Sequence, residues 1–301
     1  MKKIINKKIK RVLLIANNGQ LGFILNKKLL KLNEEYEIFS YSRDGLDISS
    51  QSAISTRCDE IKPNFIVNCA AFTNVDRAEI DVKESFAINE TGPKKLAYEA
   101  LKHNALLIHI STDYVFDGRK NSPYDETDNT NPLNSYGKSK LFGEFAIERS
   151  GCKHIILRTS WVFGEHGKNF AKTMLKLGNE KKHLNIIDDQ FGGPTYAGDL
   201  ADAILKIIAN YKDSTLSGLY HYSGYPNVSW YSFAKKIFES AEQNIEKYTY
   251  PKICKTKSSD YPMIAIRPKN TTLNCCKIKN NFGIKQSNWQ KEILNISKYL
   301  D

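Results

Sequence analysis

Short apolar runs alternate with longer amphipathic stretches along the first half of the chain. Runs rich in β-branched and other apolar residues predict strands at 11–16, 36–41, 64–70, 105–111 and 154–160. The stretches 21–32, 85–103 and 135–149 between them predict helices. Strands that are apolar on both faces and separated by helices are typical of a parallel sheet covered on both sides. The pattern therefore predicts an α/β fold, a doubly wound parallel sheet of the Rossmann-like type.

The pattern is less regular after residue 160. It predicts helices at 169–178, 198–210 and near 229–241 and a strand at 184–187, whereas the tail from Lys247 has little periodicity. We interpret this half as a smaller, irregular C-terminal portion that binds substrate. The expected division is a Lys-rich N-terminal tail (1–10), a dinucleotide-binding domain (11–165, with 184–222 returning to it) and a substrate-binding portion (166–183 and 223–301).

The formal net charge is +11, but five lysines among the first ten residues supply nearly half of it. These residues are Lys2, Lys3, Lys7, Lys8 and Lys10. A solvated tail is the simpler explanation, and an arm for nucleic acid or an acidic membrane is the alternative. The rest of the chain is only mildly basic, so we expect no nucleic-acid partner. No apolar run approaches the ~18 residues of a membrane helix, so we expect no membrane partner either.

The spacing of the cysteines and histidines predicts neither a disulfide framework nor a metal site. The chain has six cysteines without a C-x-x-C pair, and its six histidines show no metal-ligand spacing. This usage fits reduced thiols in the cytoplasm rather than a disulfide framework. We expect a cytoplasmic protein with no metal site.

The stretch IANNGQLG (15–22) joins the first predicted strand to the first predicted helix. A strand, glycines and a helix in this order place backbone N–H groups and the positive helix end against a pyrophosphate. Gly19 would let the phosphates approach the backbone, and Gly22 would let helix and strand pack closely. Because Ala16 replaces the first glycine, we expect it to have a negative φ. Alone, the turn is a weak signal of a nucleotide site.

The segment Tyr136-x-x-x-Lys140 places a phenol and an ammonium one turn apart on one helix face. The ammonium should lower the phenol pKa and make it a usable proton donor near neutral pH. Four such spacings occur, at Tyr98, Tyr136, Tyr231 and Tyr248. Only Tyr136 follows a buried strand that ends in the hydroxyls of Ser111 and Thr112, where parallel sheets bind ligands. Tyr98 is expected to serve packing instead.

These motifs occur within longer recognisable segments. In chain order they are IANNGQLG, NCAAFTNVDRAE, AINETGPKKLA, STDYVFDG, YDETDNTNPLNSYGKSKLFGE, LRTSWVFG, KNFAKTML, DDQFGGPT and RPKNTTLN, which cover most of 11–275. Together they resemble the extended short-chain dehydrogenase/reductases, and within them the dTDP-4-dehydrorhamnose reductase family. The pair STDYVFDG and PLNSYGKSKLFGE is far more specific than any single motif.

The resemblance implies an enzyme in which NAD(P)H delivers a hydride to C4 of a dTDP-linked 4-keto-6-deoxy sugar. The expected reaction converts dTDP-4-dehydrorhamnose to dTDP-L-rhamnose. The resemblance makes Tyr136 the proton donor, lets Lys140 bind the nicotinamide ribose, and has Thr112 hydrogen-bond the sugar carbonyl. It also implies that Asp113 contacts the sugar and that Trp161 covers it.

Other matched positions imply contacts with the cofactor and with dTDP. Gly19, Gln20 and Leu21 match the pyrophosphate turn, Asp47 and Ile48 flank the adenine, Ala70, Ala71 and Thr73 follow the cofactor, and Gln190 and Arg267 contact dTDP. Arg267 would face the diphosphate. Simpler explanations stay open: Trp161 in the core, Asp47 as a helix N-cap, Arg267 in a turn, Thr112 and Asp113 capping a loop.

The choice of cofactor rests on the end of the second predicted strand, where Arg43 precedes Asp44. An arginine there accepts the 2′-phosphate of NADPH, whereas a carboxylate bonds the ribose of NADH. We expect NADPH, with NADH tolerated. Some relatives join subunits through glutamates and a divalent ion, but the matching positions are near Ile24 and Gly198, and Ile24 offers no oxygen. We therefore expect a monomer or weak homodimer without such a metal.

Two alternatives to this function remain. One is a reductase of another nucleotide-linked 4-keto-6-deoxy sugar. The other is a non-catalytic regulatory relative that binds the nucleotide without turnover, although a pure binding module has no need of Thr112, Tyr136 and Lys140 together.

Overall fold

The computed structural model describes residues 9–300. Most of the predicted lysine-rich tail, with Lys2, Lys3, Lys7 and Lys8, lies outside the described residues. Lys10 already belongs to the first strand, so that strand begins one residue earlier than the pattern predicts.

The described chain alternates strands with helices. The strands are β1 (Lys10–Ile15), β2 (Tyr36–Tyr41), β3 (Phe65–Asn68), β4 (Leu106–Thr112), β5 (His154–Thr159), β6 (Val162–Phe163), β7 (His183–Ile187), β8 (Phe191–Gly192), β9 (Thr195–Tyr196), β10 (Gly218–His221), β11 (Val228–Ser229) and β12 (Lys252–Thr256). The helices are α1 (Gln20–Leu29), α2 (Gln51–Ile61), α3 (Val75–Ile80), α4 (Val82–Phe86), α5 (Gly92–Lys102), α6 (Ser135–Glu148), α7 (Phe170–Glu180), α8 (Ala197–Asn210), α9 (Trp230–Asn244), α10 (Cys276–Phe282) and α11 (Trp289–Ile293).

Six parallel strands form the main sheet in the order β10-β5-β4-β3-β1-β2. The predicted doubly wound sheet is confirmed, and the order reverses between β1 and β3. At such a switch point the connections leave the sheet toward opposite faces and open a crevice at the carboxyl ends of the strands.

Apolar cores cover both faces of this sheet. Alternate residues of β1 point to opposite sides, so Val12 and Leu14 join one buried cluster while Leu13 and Ile15 join the other. A third cluster, formed mainly by α7, α9 and the C-terminal helices, holds the smaller portion together.

One strand of the second half lies outside the main sheet. β7 pairs with β12 in a separate two-stranded sheet, and the return to the main sheet comes later, through β10 beside β5. The division into 11–165 and the substrate-binding portion stays a prediction.

One expectation about 85–103 is confirmed and one is wrong. The stretch is helical through Lys102, with a π-helical turn (Ala87–Thr91) between α4 and α5. Pro93 lacks an N–H for the carbonyl of Asn89, which breaks the α-helical hydrogen-bond ladder there. Tyr98 does not pack, since 61% of it is exposed on the outer face of α5.

The helices in the described part of the chain are all too short or too polar to cross a bilayer.

Candidate active site

A cavity of about 630 Å³ opens at the carboxyl edge of the main sheet, over the switch between β1 and β3. The turn before α1, the ends of β3, β4 and β5, and the first turns of α6 form its walls. The predicted site residues that line it are Gly19, Gln20, Leu21, Arg43, Asp47, Ile48, Ala70, Ala71, Thr73, Thr112, Asp113, Tyr136, Lys140 and Trp161. Gln190 and Arg267 lie outside it.

The turn after β1 has a conformation that the sequence analysis did not expect. Ala16 has φ +64°, so the predicted negative φ is wrong. The chain must turn tightly there, and the Gly19 N–H donates to the Ala16 carbonyl at 3.1 Å. A non-glycine residue in this left-handed region costs about 1–2 kcal/mol. Ala16 therefore does what glycine does in such a turn, at the expense of local strain.

The two glycines of the turn differ in what they permit. A Cβ on Gly22 would lie 2.0 Å from the Ala16 carbonyl oxygen, so the predicted close helix–strand packing is confirmed. A Cβ on Gly19 would meet the protein at an ordinary 3.5 Å, and the space it leaves open faces the cavity. α1 begins at Gln20, and the N–H groups of its first turn have no partner within the helix. That they bind a pyrophosphate stays a prediction.

Asp47 and Ile48 lie at the far end of the cavity. Asp47 is not the N-cap of α2, because Ser50 accepts from the Ala53 N–H there. The Asp47 Oδ1 instead accepts from the Ser49 N–H at 2.8 Å, and this bond lowers the pKa of Asp47. Asp47 is thus a charged acceptor at the cavity wall, available to a ligand hydroxyl.

Thr112 and Tyr136 approach the cavity from different elements. Thr112 ends β4, and its Oγ1 donates to Asp113 Oδ1 at 3.0 Å and accepts from the Tyr114 N–H. Tyr136 lies in the first turn of α6, where Asn134 caps the helix by accepting from the Gly137 N–H at 2.8 Å. The sheet edge and the capped helix end therefore bring the two hydroxyl-bearing side chains to one place, as predicted.

The protonation of Tyr136 differs from the expectation. Burial raises its pKa to about 12, with Asp113 adding to the rise and a hydrogen bond with Thr112 opposing it. Lys140 contributes no lowering, because its Nζ lies 2.6 Å from the Ile110 carbonyl oxygen and 3.2 Å from His109 Nε2. Burial also lowers the pKa of Lys140 to about 8. The expected lowering of the phenol pKa is therefore wrong for this arrangement of the side chains.

Asp113 is a buried acid beside these groups. Burial raises its pKa to about 7, with the Thr271 and Thr112 hydroxyls opposing the rise. Its Oδ2 is buried and has no partner at full hydrogen-bond geometry among the described residues, so a ligand hydroxyl would reach it only after the side chain turns toward the cavity.

A buried ion pair supports the site from below. Arg158 on β5 donates to Glu144 on α6, with Nη2 2.6 Å from Oε2, and Ser111 on β4 donates to the same carboxylate. Three elements that carry site residues are tied together in this way. Removing one partner of such a pair typically costs about 3–5 kcal/mol.

The expected substrate residues separate into two groups. Trp161 lines the cavity, stacks on Trp230 at a centroid distance of 3.4 Å, and has φ +48°. Gln190 is buried and donates to Ser258 Oγ at 3.0 Å. Arg267 donates from Nη2 to Asp76 Oδ2 at 2.8 Å. Other parts of the protein engage the latter two side chains, and neither lines the cavity.

Sequence reasoning missed several lining residues, among them Ser160, Gly167 and Lys168. Gly167 has φ +76°, and a Cβ there would lie 2.9 Å from Cγ of Gln20, the first residue of α1. The signal that was available is the Gly-Lys pair between a strand and a helix, since a glycine allows close approach and a lysine at that point attracts a phosphate.

One group of possible metal ligands lies among the described residues, away from the cavity. Asp59, Glu99 and His103 bring one ligand atom each within 4.8 Å of one another, and Asp59 is paired with Lys102 Nζ at 2.7 Å. None of the three lines the candidate active site. That the active site needs no metal stays a prediction.

The switch-point cavity, the glycine turn and the Tyr136/Lys140 pair beside a strand end define a Rossmann-fold protein of the short-chain dehydrogenase/reductase class. The family model described as "RmlD substrate binding domain" matches residues 10–300. The dTDP-4-dehydrorhamnose reductase of Aggregatibacter actinomycetemcomitans is 43% identical over 97% of this chain and 99% of its own. The chain therefore belongs to the dTDP-4-dehydrorhamnose reductase family.

Solved structures agree with this assignment. A dTDP-4-dehydrorhamnose reductase from Bacillus anthracis, in complex with NADP, superposes with a TM-score of 0.88 and 36% identity over 96% of this chain and 99% of that one. A dTDP-4-dehydrorhamnose reductase from Clostridium acetobutylicum gives a TM-score of 0.89 and 34% identity over the same shares.

Proposed function

We propose that this protein reduces the C4 ketone of dTDP-4-dehydrorhamnose (dTDP-4-dehydro-6-deoxy-L-mannose) to dTDP-L-rhamnose, with NADPH as the hydride donor. The observation that carries the proposal is the convergence of Thr112, Tyr136 and Lys140 with the glycine turn on one cavity. Family membership supplies the substrate class, because relatives over the whole chain are reductases of this sugar nucleotide by name.

The cavity fits a dinucleotide along its length. The start of α1 at Gln20 and Leu21 would hold the pyrophosphate through backbone N–H groups. Asp47 and Ile48 would flank the adenosine, and Ala70, Ala71 and Thr73 would follow the cofactor along the end of β3. Tyr136 and Lys140 would reach the nicotinamide ribose.

Bound NADPH supplies the hydride that a carbonyl carbon accepts in this reaction class. Tyr136 would give its phenolic proton to the sugar oxygen, and Thr112 would hydrogen-bond the same oxygen and steady its position. A phenol with a pKa near 12 is fully protonated at neutral pH, as a proton donor must be. A charge next to Tyr136 in the complex is needed to make it a stronger acid.

The sugar nucleotide would meet the opposite wall of the cavity. Asp113 would accept from a sugar hydroxyl once its buried Oδ2 turns toward the cavity, and Trp161 would cover the ring. Gln190 and Arg267 would contact dTDP only after leaving Ser258 and Asp76, which now hold them.

NADPH is favoured over NADH by the side chain at the mouth of the cavity. Arg43 lines the cavity, and its side chain is 67% exposed and lies 3.5 Å from Glu84. An exposed guanidinium is a good partner for the 2′-phosphate. Asp44, the residue that would favour NADH, does not line the cavity.

We further propose a cytoplasmic protein that is a monomer or weak homodimer and binds neither nucleic acid nor membranes. All six cysteines are free thiols, which fits a reducing compartment. Sedimentation of the purified protein with and without Mg²⁺ tests the oligomeric state, and a dimer that requires the metal would contradict this part.

The reaction itself is tested with freshly prepared dTDP-4-dehydrorhamnose and NADPH. Loss of the reduced-cofactor absorbance and identification of dTDP-L-rhamnose as the product are expected. A different C4 epimer, or turnover only with another 4-keto sugar nucleotide, would move the assignment to the neighbouring reductase activity. Cofactor binding without turnover of any such sugar would indicate the non-catalytic relative.

A further inference from the structure

Four polar contacts run in a chain beneath the cavity, from the end of β3 to the end of β4. The Ala70 N–H donates to Asn68 Oδ1 at 3.0 Å, and Asn68 Nδ2 lies 3.0 Å from His109 Nδ1. His109 Nε2 lies 3.2 Å from Lys140 Nζ, which lies 2.6 Å from the Ile110 carbonyl oxygen. The side chains that make these contacts are buried, and at most 1% of Asn68, His109 or Lys140 is exposed.

The donor at the Ala70 end of this series of contacts fixes the direction of the hydrogen bonds that follow. The Ala70 N–H is only a donor, so Asn68 must present its oxygen to Ala70 and its amide N–H to His109. His109 Nδ1 is then an acceptor, and a neutral imidazole whose Nδ1 accepts carries its proton on Nε2. The His109 Nε2–H therefore donates to Lys140 Nζ. A lysine nitrogen that accepts a hydrogen bond has a free lone pair, which only the neutral amine has.

A charged Lys140 does not fit the same contacts. An ammonium has three N–H donors and no acceptor, so His109 would have to accept at Nε2 and carry its proton on Nδ1. That proton would face the Asn68 amide N–H at 3.0 Å, donor against donor in a buried place. Leaving a buried donor unsatisfied costs about 1–3 kcal/mol. Protonating His109 as well would add a further donor and make the conflict worse.

The charged and titratable groups around Lys140 do not reverse this preference. Glu144, one turn later on α6, favours the ammonium, but its carboxylate is already bonded by Arg158 and Ser111. Burial raises the pKa of the Cys69 thiol to about 12, so that neighbour is uncharged. The Tyr136 phenol is neutral for the same reason.

Burial of the pair itself acts in the same direction. It lowers the pKa of Lys140 to about 8 and the pKa of His109 well below its ordinary value. The neutral imidazole and the neutral amine that the hydrogen bonds require are therefore both accessible near pH 8.

We propose that His109 is a positioning residue that favours the neutral amine form of Lys140 in the free protein, and that neutral Lys140 takes up a proton from solvent when the dinucleotide binds. The proposal rests on the proposed function, because it places the cofactor beside Lys140. The phosphates of a dinucleotide favour the charged amine. The ammonium formed in this way would then lower the pKa of Tyr136, which it does not do in the free arrangement.

Proton uptake is measured directly by calorimetry of NADPH binding at pH 8 in two buffers with different heats of ionisation. The 2′-phosphate is already ionised at this pH, since its second pKa is ~6. Because burial lowers the pKa of Lys140 to about 8, the wild type should take up about half a proton at this pH.

Two substitutions relieve the donor conflict independently. In His109→Gln the side-chain oxygen is able to accept from an ammonium, so uptake should fall below about one-fifth of a proton. In Asn68→Asp the carboxylate still accepts from Ala70 and also accepts from His109 Nδ1, which frees Nε2 to accept from the ammonium, and uptake should fall likewise. His183→Gln, at an exposed histidine on β7, is the matched control and should keep wild-type uptake.

A kinetic profile separates this role from a merely structural one. In the wild type, kcat/KM for NADPH should fall at alkaline pH with a midpoint near pH 8, and in His109→Gln this midpoint should lie about one pH unit higher. A packing defect would lower kcat/KM without shifting the midpoint. Wild-type binding without proton uptake, or equal uptake in the wild type and both variants, would overturn the inference. If His109→Gln does not fold, the Asn68→Asp result decides. Failure of the wild type to bind NADPH would contradict the proposed function instead.

Discussion

The two sides of the cavity are built by different means. On the cofactor side, the residues follow β1, β2, β3 and β4 of one parallel sheet, and every one of them that the sequence analysis selected lines the cavity. On the sugar side, Gln190 follows β7, which lies outside the main sheet, and Arg267 lies in the C-terminal part of the chain; other side chains of the protein hold both. A sheet edge positions its residues by topology alone, whereas loops around small two-stranded sheets require partners to hold theirs.

Backbone strain occurs on both sides. Ala16 at the phosphate turn and Trp161 at the sugar wall are both non-glycine residues with positive φ. Such conformations persist only where the surrounding structure holds them, and they cluster at functional sites. The cofactor side is therefore a preformed surface with one strained residue, whereas on the sugar side Gln190 and Arg267 are held by Ser258 and Asp76.

The largest expected effect is at the junction of the two sides. Tyr136→Phe removes the proposed proton donor without changing the packing of the ring, and kcat should fall by about 10²–10⁴-fold. NADPH affinity should change by less than about threefold. Steady-state kinetics and cofactor titration measure both. Tyr98→Phe, at an exposed tyrosine with the same Tyr-x-x-x-Lys spacing, is the control. A near-normal rate for Tyr136→Phe would contradict the proposed role of Tyr136 as the proton donor.

Arg267 tests whether the sugar side changes partner. If its guanidinium leaves Asp76 for the diphosphate, Arg267→Gln should weaken dTDP binding by about 10–100-fold, as expected for a lost bond to a charged group. NADPH binding should be unaffected. Asp76→Asn, which loosens the present pairing, should bind dTDP at least as well as the wild type. Unchanged dTDP affinity in Arg267→Gln would show that the arginine only ties Asp76 to its segment.

Arg43 sharpens the comparison on the cofactor side. Arg43→Gln should weaken NADPH binding by about tenfold and leave NADH binding within about twofold, because only NADPH carries the 2′-phosphate. Fluorescence titration with each cofactor measures the ratio. Arg119→Gln, whose side chain is 82% exposed away from the cavity, serves as the reference. Equal losses for the two cofactors would remove the argument for NADPH.

The smallest effect concerns the strained turn. Ala16→Gly should raise the free energy of unfolding by about 1 kcal/mol, because glycine adopts positive φ without the Cβ clash. Ala146→Gly in α6 should lower it by a similar amount, since glycine is a poor helix former. Denaturant unfolding of both variants measures this. A destabilised Ala16→Gly protein would mean that the turn is not strained.

Much of the site followed from local pattern. Apolar runs predicted five of the six main-sheet strands within a few residues, and the strand end at Thr112 picked Tyr136 from four equivalent spacings. The sequence pattern does not predict the sixth strand, β10, because Gly218–His221 is too short to show a hydrophobic period. The tail from Lys247 shows no hydrophobic period either, since its helices are short and each buries only a few residues.

The sequence by itself determined the parallel sheet, the location of the glycine turn and the identity of the Thr112, Tyr136 and Lys140 set. These depend on hydrophobic period and on which residues follow a strand, and both are local properties. Only the tertiary structure decided the positive φ of Ala16, the partners of Gln190 and Arg267, and the direction of the hydrogen bonds from Ala70 to Ile110. Ala16 adopts its positive φ because of the tight turn that joins β1 to α1. The partners of Gln190 and Arg267 and the contact of His109 with Lys140 depend on residues far apart in the chain that folding brings within hydrogen-bond distance, and burial then forces each donor to find an acceptor.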